Sequence, residues 1–456
     1  MAEIESASCR YCLEEINRNA KVCKYCSRSQ HPVVNVLRAS DVIASIIAFG
    51  VLLVTIWQLN QANEATTKAE IASKKVEAVE VNVGAALKNV LRMEAAVSEA
   101  SRNICNVARS LADIAEVIPR TGEGAGRCRE ARMTRFGYTL MTEQSAPRDL
   151  VRYAVAAEQV GFDFEVCSDH YSPWLMSQGH APYAWSVLGA VAQATSNVEL
   201  ATFVTCPIIR YHPAVVAQKA ATMQLLSEGR FILGLGSGEN LNEHITGEGW
   251  PPVAQRQDML VEAATIIKEL QSRELITWEG DYFRVDSARL WDSPEGGVPI
   301  AIAVSGEKSL AQFVPLADHL VAVEPRAELI EAWDREKGSA NARKISQVPI
   351  CWDPDRQRAI DRAHDQFRWF GGGWSVNADL PTPAGFEGAS KYVRPEDVAE
   401  QIPCGPDLDA VVEAVKPFWE AGFTDIAIVQ VGDEAQSAFL DQAAKPLLEK
   451  LRAAAG

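Results

Sequence analysis

Ten consecutive residues, Glu165-Val166-Cys167-Ser168-Asp169-His170-Tyr171-Ser172-Pro173-Trp174, have the types and order that chemistry needs. A short apolar run, Phe162, Phe164 and Val166, turns polar at Ser168 and is stopped by Pro173. A buried strand ends this way at the mouth of a barrel, with its last side chains aimed at a ligand. If Asp169 and His170 share a cleft, they offer a carboxylate for a polar cofactor edge and a base for a substrate proton. The competing reading is a strand-end Asp that caps the next turn, beside an idle His170.

A second pattern lies near the N-terminus. Cys9 and Cys12 form one C-x-x-C, and Cys23 and Cys26 form another ten residues later. Two such knuckles supply four thiolates tetrahedrally to one Zn²⁺, and the metal replaces a core that so short a segment cannot build. A redox dithiol pair is the alternative, but no βαβ pattern lies nearby. The stretch CRYCLEEINRNAKVCKYC resembles the short zinc ribbons of bacterial membrane-linked proteins, so a ribbon is expected over residues 1–32.

The third pattern is Gly234-Leu235-Gly236-Ser237-Gly238-Glu239, which follows an apolar run. As a dinucleotide fingerprint it fails, because Glu239 or Leu241 replaces the last glycine and a carboxylate would repel a pyrophosphate. The glycines allow close backbone approach to a flat ligand, with Glu239 projecting beside it.

These residues need a scaffold, and the chain is long enough for more than one module: it has 456 residues, 47% apolar and 23% charged. A net charge of −16 argues against nucleic acid as a main partner. Of ten cysteines, four cluster at the N-terminus and the others are scattered, which suits one metal site in a reducing compartment. Among the scattered thiols, Cys128, Cys167, Cys206, Cys351 and Cys404 show no pairing pattern.

The run VIASIIAFGVLLVTIW, residues 42–57, predicts a transmembrane or membrane-associated helix within 41–60, near the short end of what a span needs. It starts after a folded-looking module, which argues against a cleaved signal peptide. A buried helix is the alternative. Residues 61–118 follow with a heptad pattern: Val76, Val83, Val90, Val97, Ile104, Leu111 and Ile118 recur every seven. This predicts a coiled-coil helix and a homo-oligomer, with a lone amphipathic helix as the alternative. Residues 119–132 read as a linker, and Met133 leaves both a fusion and a start at that point open.

From 133 to 456, apolar runs at 135–140, 164–168, 199–204, 230–235, 299–303, 319–323, 345–351 and 425–430 alternate with helical segments. Eight such repeats predict a (β/α)₈ TIM barrel, with a doubly wound open sheet as the alternative. An inserted hairpin is expected at 276–294 and a long loop at 370–392.

The segments MTEQSAPRDLVRYAVAAEQVGF, SDHYSPW, GHAPYAW, RYHPAVVAQ, GLGSGENLNEH and DYFRVDSARLWD together resemble the luciferase-like F420-dependent oxidoreductases, in the branch that contains F420-dependent glucose-6-phosphate dehydrogenase. The resemblance implies a luciferase-like barrel that moves hydride between an alcohol or carbonyl and coenzyme F420, a deazaflavin. It implies His170 as base, Glu239 as the acid that protonates the deazaflavin, Trp174 as an aromatic near the reacting centre and Glu143 as another active-site acid. It implies cofactor contacts at Asp169, Phe203, Val204, Ser237, Gly238, Asn242, Ala303, Val304, Ser305 and Gly306. Phe203 is bulky where relatives have a small residue. The positions that hold phosphate in the sugar-phosphate enzymes are Val323, Arg326 and Gly388 here, which leaves Arg326 as the one substrate anion partner.

The expected function is therefore a membrane-held F420-dependent oxidoreductase. The alternatives are an FMN-dependent monooxygenase on the same barrel and a non-catalytic zinc-ribbon scaffold. F420 and reduced zinc thiolates both belong in the cytoplasm, whereas a single span would separate ribbon from barrel. A barrel on the cytoplasmic side is the expected arrangement.

Overall fold

The computed structural model describes residues 6–8, 15–17, 134–339 and 341–456. They fall in two units, Met1–Ala125 and Gly126–Gly456. In the first, strand β1 (Ser6–Ser8) pairs antiparallel with β2 (Glu15–Asn17), and the two flank the first C-x-x-C in sequence. The four ribbon cysteines Cys9, Cys12, Cys23 and Cys26, the apolar run 42–57, the heptads and the linker lie outside the described residues. No helix among the described residues is long and apolar enough to cross a membrane, and none of their His, Cys, Asp and Glu groups could hold a metal ion.

In the second unit, strands β3 (Arg135–Leu140), β4 (Phe164–Cys167), β5 (Glu199–Thr202) and β6 (Phe231–Leu235) come first. A hairpin, β7 (Ile276–Glu279) and β8 (Arg284–Ala288), interrupts the alternation where the sequence predicts it. Strands β9 (Ile300–Ala303), β10 (His319–Val321), β11 (Lys344–Ile350) and β12 (Asp425–Gln430) complete the set. The eight pair in parallel, and β12 returns to pair with β3. Closure decides between the two expected architectures: the sheet is a barrel.

Side-chain alternation sorts the residues. Phe164, Val166, Ala201, Ile232, Ala301, Val321, Ile345 and Ala427 fill the interior. The opposite faces of the strands pack on the helices in one large cluster. Burying each large apolar side chain contributes about 1.5–3 kcal/mol. Gly137 is required where β3 meets β4, because a Cβ there would lie 2.5 Å from the Phe164 ring. At the strand starts, Arg343 Nη2 donates to Glu199 Oε1 at 2.7 Å, and Arg135 pairs with Glu199 and with Asp425. These charges clamp the N-terminal end of the barrel, away from the polar strand ends.

The stretch 370–392 differs from the long loop its glycines and prolines suggest. It contains the end of a 3₁₀ turn, Arg368–Gly372, and two short helices, Trp374–Asn377 and Pro383–Ala389. Pro383 stands in a first helical turn, where its missing N–H costs nothing, and the Thr382 hydroxyl accepts from Gly385 N at 3.2 Å. With helices Arg356–Phe367 and Pro395–Gln401, these pieces form an insertion between β11 and β12. Its apolar residues Phe367, Phe386, Val398 and Ile402 share a satellite cluster with Met141, Trp174, Leu175 and Leu241.

Candidate active site

Three strand ends converge at the barrel mouth. Just beyond β3, the Glu143 carboxylate is 1% exposed. Its Oε2 accepts from Ser168 Oγ at 2.5 Å and Thr142 Oγ1 at 3.2 Å, and its Oε1 accepts from Trp174 Nε1 at 3.1 Å. The same Oε1 lies 3.0 Å from His170 Nδ1, within ion-pair distance but out of line with the ring N–H. On the far side of the imidazole, Nε2 is 3.5 Å from Glu239 Oε2, which comes from the end of β6. One His therefore stands between two carboxylates. Trp174 packs 5.0 Å from the His170 ring. All four residues that the resemblance marks as catalytic, Glu143, His170, Trp174 and Glu239, are brought together.

Asp169 and His170 do not share a cleft. The Asp169 carboxylate receives Thr205 Oγ1 at 2.7 Å, Trp185 Nε1 at 3.0 Å, Tyr211 OH at 3.1 Å and Arg210 Nη2 at 3.2 Å. Protein donors thus saturate it, and the carboxylates beside His170 are Glu143 and Glu239 instead. Asn242 is likewise occupied: its Nδ2 donates to Glu239 Oε2 at 2.9 Å, and its Oδ1 accepts from Tyr171 N at 2.8 Å. It ties the acid of β6 to the segment after β4.

The glycines of 234–238 make room for protein. A Cβ at Gly234 would lie 1.9 Å from the Thr202 carbonyl oxygen, one at Gly236 2.5 Å from Val204 Cγ2, and one at Gly238 2.4 Å from Cys206 Sγ. They let the ends of β5 and β6 close up, which carries Ser237 and Glu239 to the mouth. Phe203, Val204 and Ala303 are half-buried on top of the barrel interior and give it an apolar ceiling. The Phe203–Val204 peptide is cis. Val304 continues the wall through a 3.0 Å hydrogen bond from its N–H to Val321 O. Arg326 is not among the His170 contacts. Its Nη1 donates to Ser305 O at 2.8 Å and its Nε faces Glu328 at 3.5 Å, so it braces the 303–306 loop just before the helix that Gly306 caps. Val323 is 54% exposed.

Sequence reasoning gave no role to several residues that build this site. Trp369, from the insertion, stacks on Trp174 with centroids 4.0 Å apart and planes 8° from parallel, and Phe386 meets the same ring edge-on at 5.1 Å. Glu243 is fully buried; it accepts from Arg210 N at 2.7 Å and pairs with the Arg210 guanidinium at 3.4 Å. Arg210, Tyr211 and Trp185 fall inside RYHP and GHAPYAW, but a motif alone does not say that they converge on Asp169.

Burial pushes the Glu243 carboxyl up to about 7, against the pull of the Arg210 charge. A raised carboxyl pKa means that its stabilising share is complete below about 4.3 and is lost as pH rises through about 7. Glu243→Gln should therefore gain on the parent by about 2 kcal/mol between pH 5 and pH 8. Urea unfolding at pH 5, 6, 7 and 8 checks this, and parallel profiles would show that Glu243 keeps an ordinary pKa.

Comparison with known proteins agrees with this geometry. The family model for luciferase-like monooxygenases matches residues 133–425. An F420-dependent glucose-6-phosphate dehydrogenase from Amycolatopsis mediterranei (strain U-32) is 34% identical over 337 residues, which covers 70% of this chain and 99% of that protein. The structure of an F420-dependent secondary alcohol dehydrogenase in complex with an F420-acetone adduct is 30% identical with a TM-score of 0.64, and covers 70% of this chain and 99% of that one. A type II Baeyer-Villiger monooxygenase from Pseudomonas putida in complex with FMN shares the fold alone, at 18% identity and a TM-score of 0.50 over 71% of this chain and 97% of that one. The barrel, its convergent strand ends and these likenesses make the chain a member of the luciferase-like monooxygenase family, with F420-dependent glucose-6-phosphate dehydrogenases among its homologues.

Proposed function

We propose that the protein is an F420-dependent oxidoreductase acting on an alcohol or carbonyl. The observation that carries this reading is the His170 ring, with Glu143 at one nitrogen and Glu239 at the other. Glu143 favours the proton on Nδ1, which leaves Nε2 as a base for a substrate hydroxyl. Glu239, 3.5 Å from that nitrogen, is the acid we assign to the rim of the slot. The residues suit a flat ring: Phe203, Val204 and Ala303 are apolar, and Glu239 stands at the edge. When bound, F420 supplies a ring carbon that exchanges hydride, and its far ring nitrogen needs the proton. Asp169 and Asn242 act by positioning, since protein partners occupy their polar atoms.

Binding of F420 and of FMN to the full chain, titrated separately, tests the reading. Saturable F420 binding without FMN retention is expected, and the reverse result makes this an FMN enzyme. Glu239→Gln should bind F420 within about twofold of the parent yet turn over about 100-fold more slowly, the loss typical of a removed general acid. Turnover equal to the parent's would make Glu239 structural.

The substrate we infer is an apolar secondary alcohol rather than a sugar phosphate. Trp174 stands beside the His170 ring and is backed by Trp369 and Phe386, Val323 and Gly388 offer no phosphate donor, and Arg326 is already engaged by Ser305 and Glu328. With one missing phosphate contact worth about 1.5 kcal/mol or more, a preference of at least about tenfold in kcat/KM over glucose 6-phosphate is expected. Steady-state F420 reduction measures it, and a preference for glucose 6-phosphate would refute the pocket assignment.

We further propose that residues 42–57 hold the enzyme at the membrane with the barrel on the cytoplasmic side, that the heptads of 76–118 make it an oligomer, and that Cys9, Cys12, Cys23 and Cys26 hold a structural Zn²⁺. The apolar run, the heptads and the paired C-x-x-C motifs support this. Carbonate-washed membranes should retain the full chain and lose a variant lacking residues 42–57; release of both removes the anchor.

A further inference from the structure

We infer that Cys351 and Cys404 form a peroxide-reactive dithiol, a modification site that closes to a disulfide at the base of the β11–β12 insertion. Nothing in their spacing suggests a pair, yet the backbone sets them opposite each other in a parallel bridge. The Cys351 N–H donates to Pro403 O at 2.9 Å, and the Gly405 N–H donates to Cys351 O at 3.0 Å. Neighbouring strands run about 4.8 Å apart, inside the 4.4–6.8 Å that Cα atoms span across a disulfide. Both thiols are free.

The surroundings divide the work. Cys351 is fully buried, whereas Cys404 is partly exposed. Arg362 Nη1 lies 3.8 Å from Cys351 Sγ and is fixed there by Asp353 at 2.7 Å and Glu434 at 2.6 Å. Arg356 packs against Gly405, where a Cβ would lie 3.0 Å from its Cγ. The Cys351 thiol first, and then the charges of Arg356 and Arg362, lower the Cys404 pKa against the effect of burial. When protonated, Cys404 donates to Ile402 O at 3.2 Å. Cys404 is thus the attacking sulfur and Cys351 the resolving one. Cys167 and Cys206 are buried and raised well above the ordinary thiol range by that burial.

The oxidant is a peroxide. The Cys404 thiolate attacks one oxygen, the O–O bond breaks, and a sulfenic acid and the first water form once the leaving hydroxide is protonated. The Cys351 sulfur then attacks the Cys404 sulfur, the S–O bond breaks and the second water leaves. Two thiols lose two electrons, and one peroxide becomes two waters. The segment so closed carries Trp369 and Phe386, both against Trp174, so the disulfide pins the base of the insertion that backs that ring.

The test treats the reduced full chain with hydrogen peroxide, blocks remaining thiols and maps the peptides without reduction. A Cys351–Cys404 peptide pair lighter by two hydrogens, reversed by dithiothreitol, is expected, together with a Tm rise of roughly 5 °C. In Cys351→Ser, Cys404 should stop at a sulfenic acid that dimedone traps. A treated parent chain whose Cys404 still alkylates, or links to any other cysteine, overturns the proposal without recourse to a variant.

Discussion

A carboxylate as deeply buried as Glu143 needs donors for both oxygens, because each buried acceptor left bare costs about 1–3 kcal/mol or more. The donors come from two adjacent strand ends. β3 and β4 pair with Leu140 opposite Cys167, so the residues just past them, Thr142 and Ser168, meet side by side. Ser168 N donates to Leu140 O at 3.3 Å, and Thr142 N donates to Ser168 Oγ at 2.9 Å. That continuation of the ladder places Ser168 Oγ under the carboxylate. The remaining oxygen is then free to orient Trp174 and to face His170. The site therefore depends on strand register: a slip of one residue between β3 and β4 would turn every one of these groups to the other face.

The acid of β6 reaches the same place by a different device. β5 stands between β4 and β6 in the barrel, so Glu239 arrives through a loop rather than through a ladder. Gly234, Gly236 and Gly238 let that loop press on Thr202, Val204 and Cys206, and Asn242 ties Glu239 to the Tyr171 backbone. Asp169 serves the opposite side. With four protein donors it fixes the segment from Thr205 to Tyr211 behind the β4 end, and this frees its neighbour His170 to face the mouth.

What the sequence made legible follows from these devices. Short apolar runs separated by helical segments announced barrel strands, because strands covered on both faces read as continuous apolar stretches. Closure was legible only in the count of eight repeats, since the β12–β3 pairing that makes it joins segments from opposite ends of the domain. His170, Glu239, Glu143 and Trp174 were found through motifs that keep local order. Trp369 was not, because its partner Trp174 lies nearly two hundred residues earlier in the chain. Cys351 and Cys404 show the same limit: their partnership exists only after the insertion between them has folded back. The zinc-ribbon cysteines and the apolar run are strong local patterns that lie outside the described residues, so the geometry bears on neither.

Proton handling and pocket shape reside in different parts of this molecule. His170, Glu143 and Glu239 stand on strand ends that the parallel ladder holds rigidly, as a reaction requiring sub-ångström placement demands. Trp369 and Phe386 stand on an insertion built from short helices, anchored to the barrel by the satellite apolar cluster and the Cys351–Cys404 rung. Trp174 belongs to both parts: it donates to Glu143 and stacks on Trp369. Substitutions in the insertion can thus reshape what enters the pocket while the acids and the base keep their spacing. Trp174 cannot change without disturbing both. That division is the physical reason a shared barrel accommodates different substrates with little change at its strand ends.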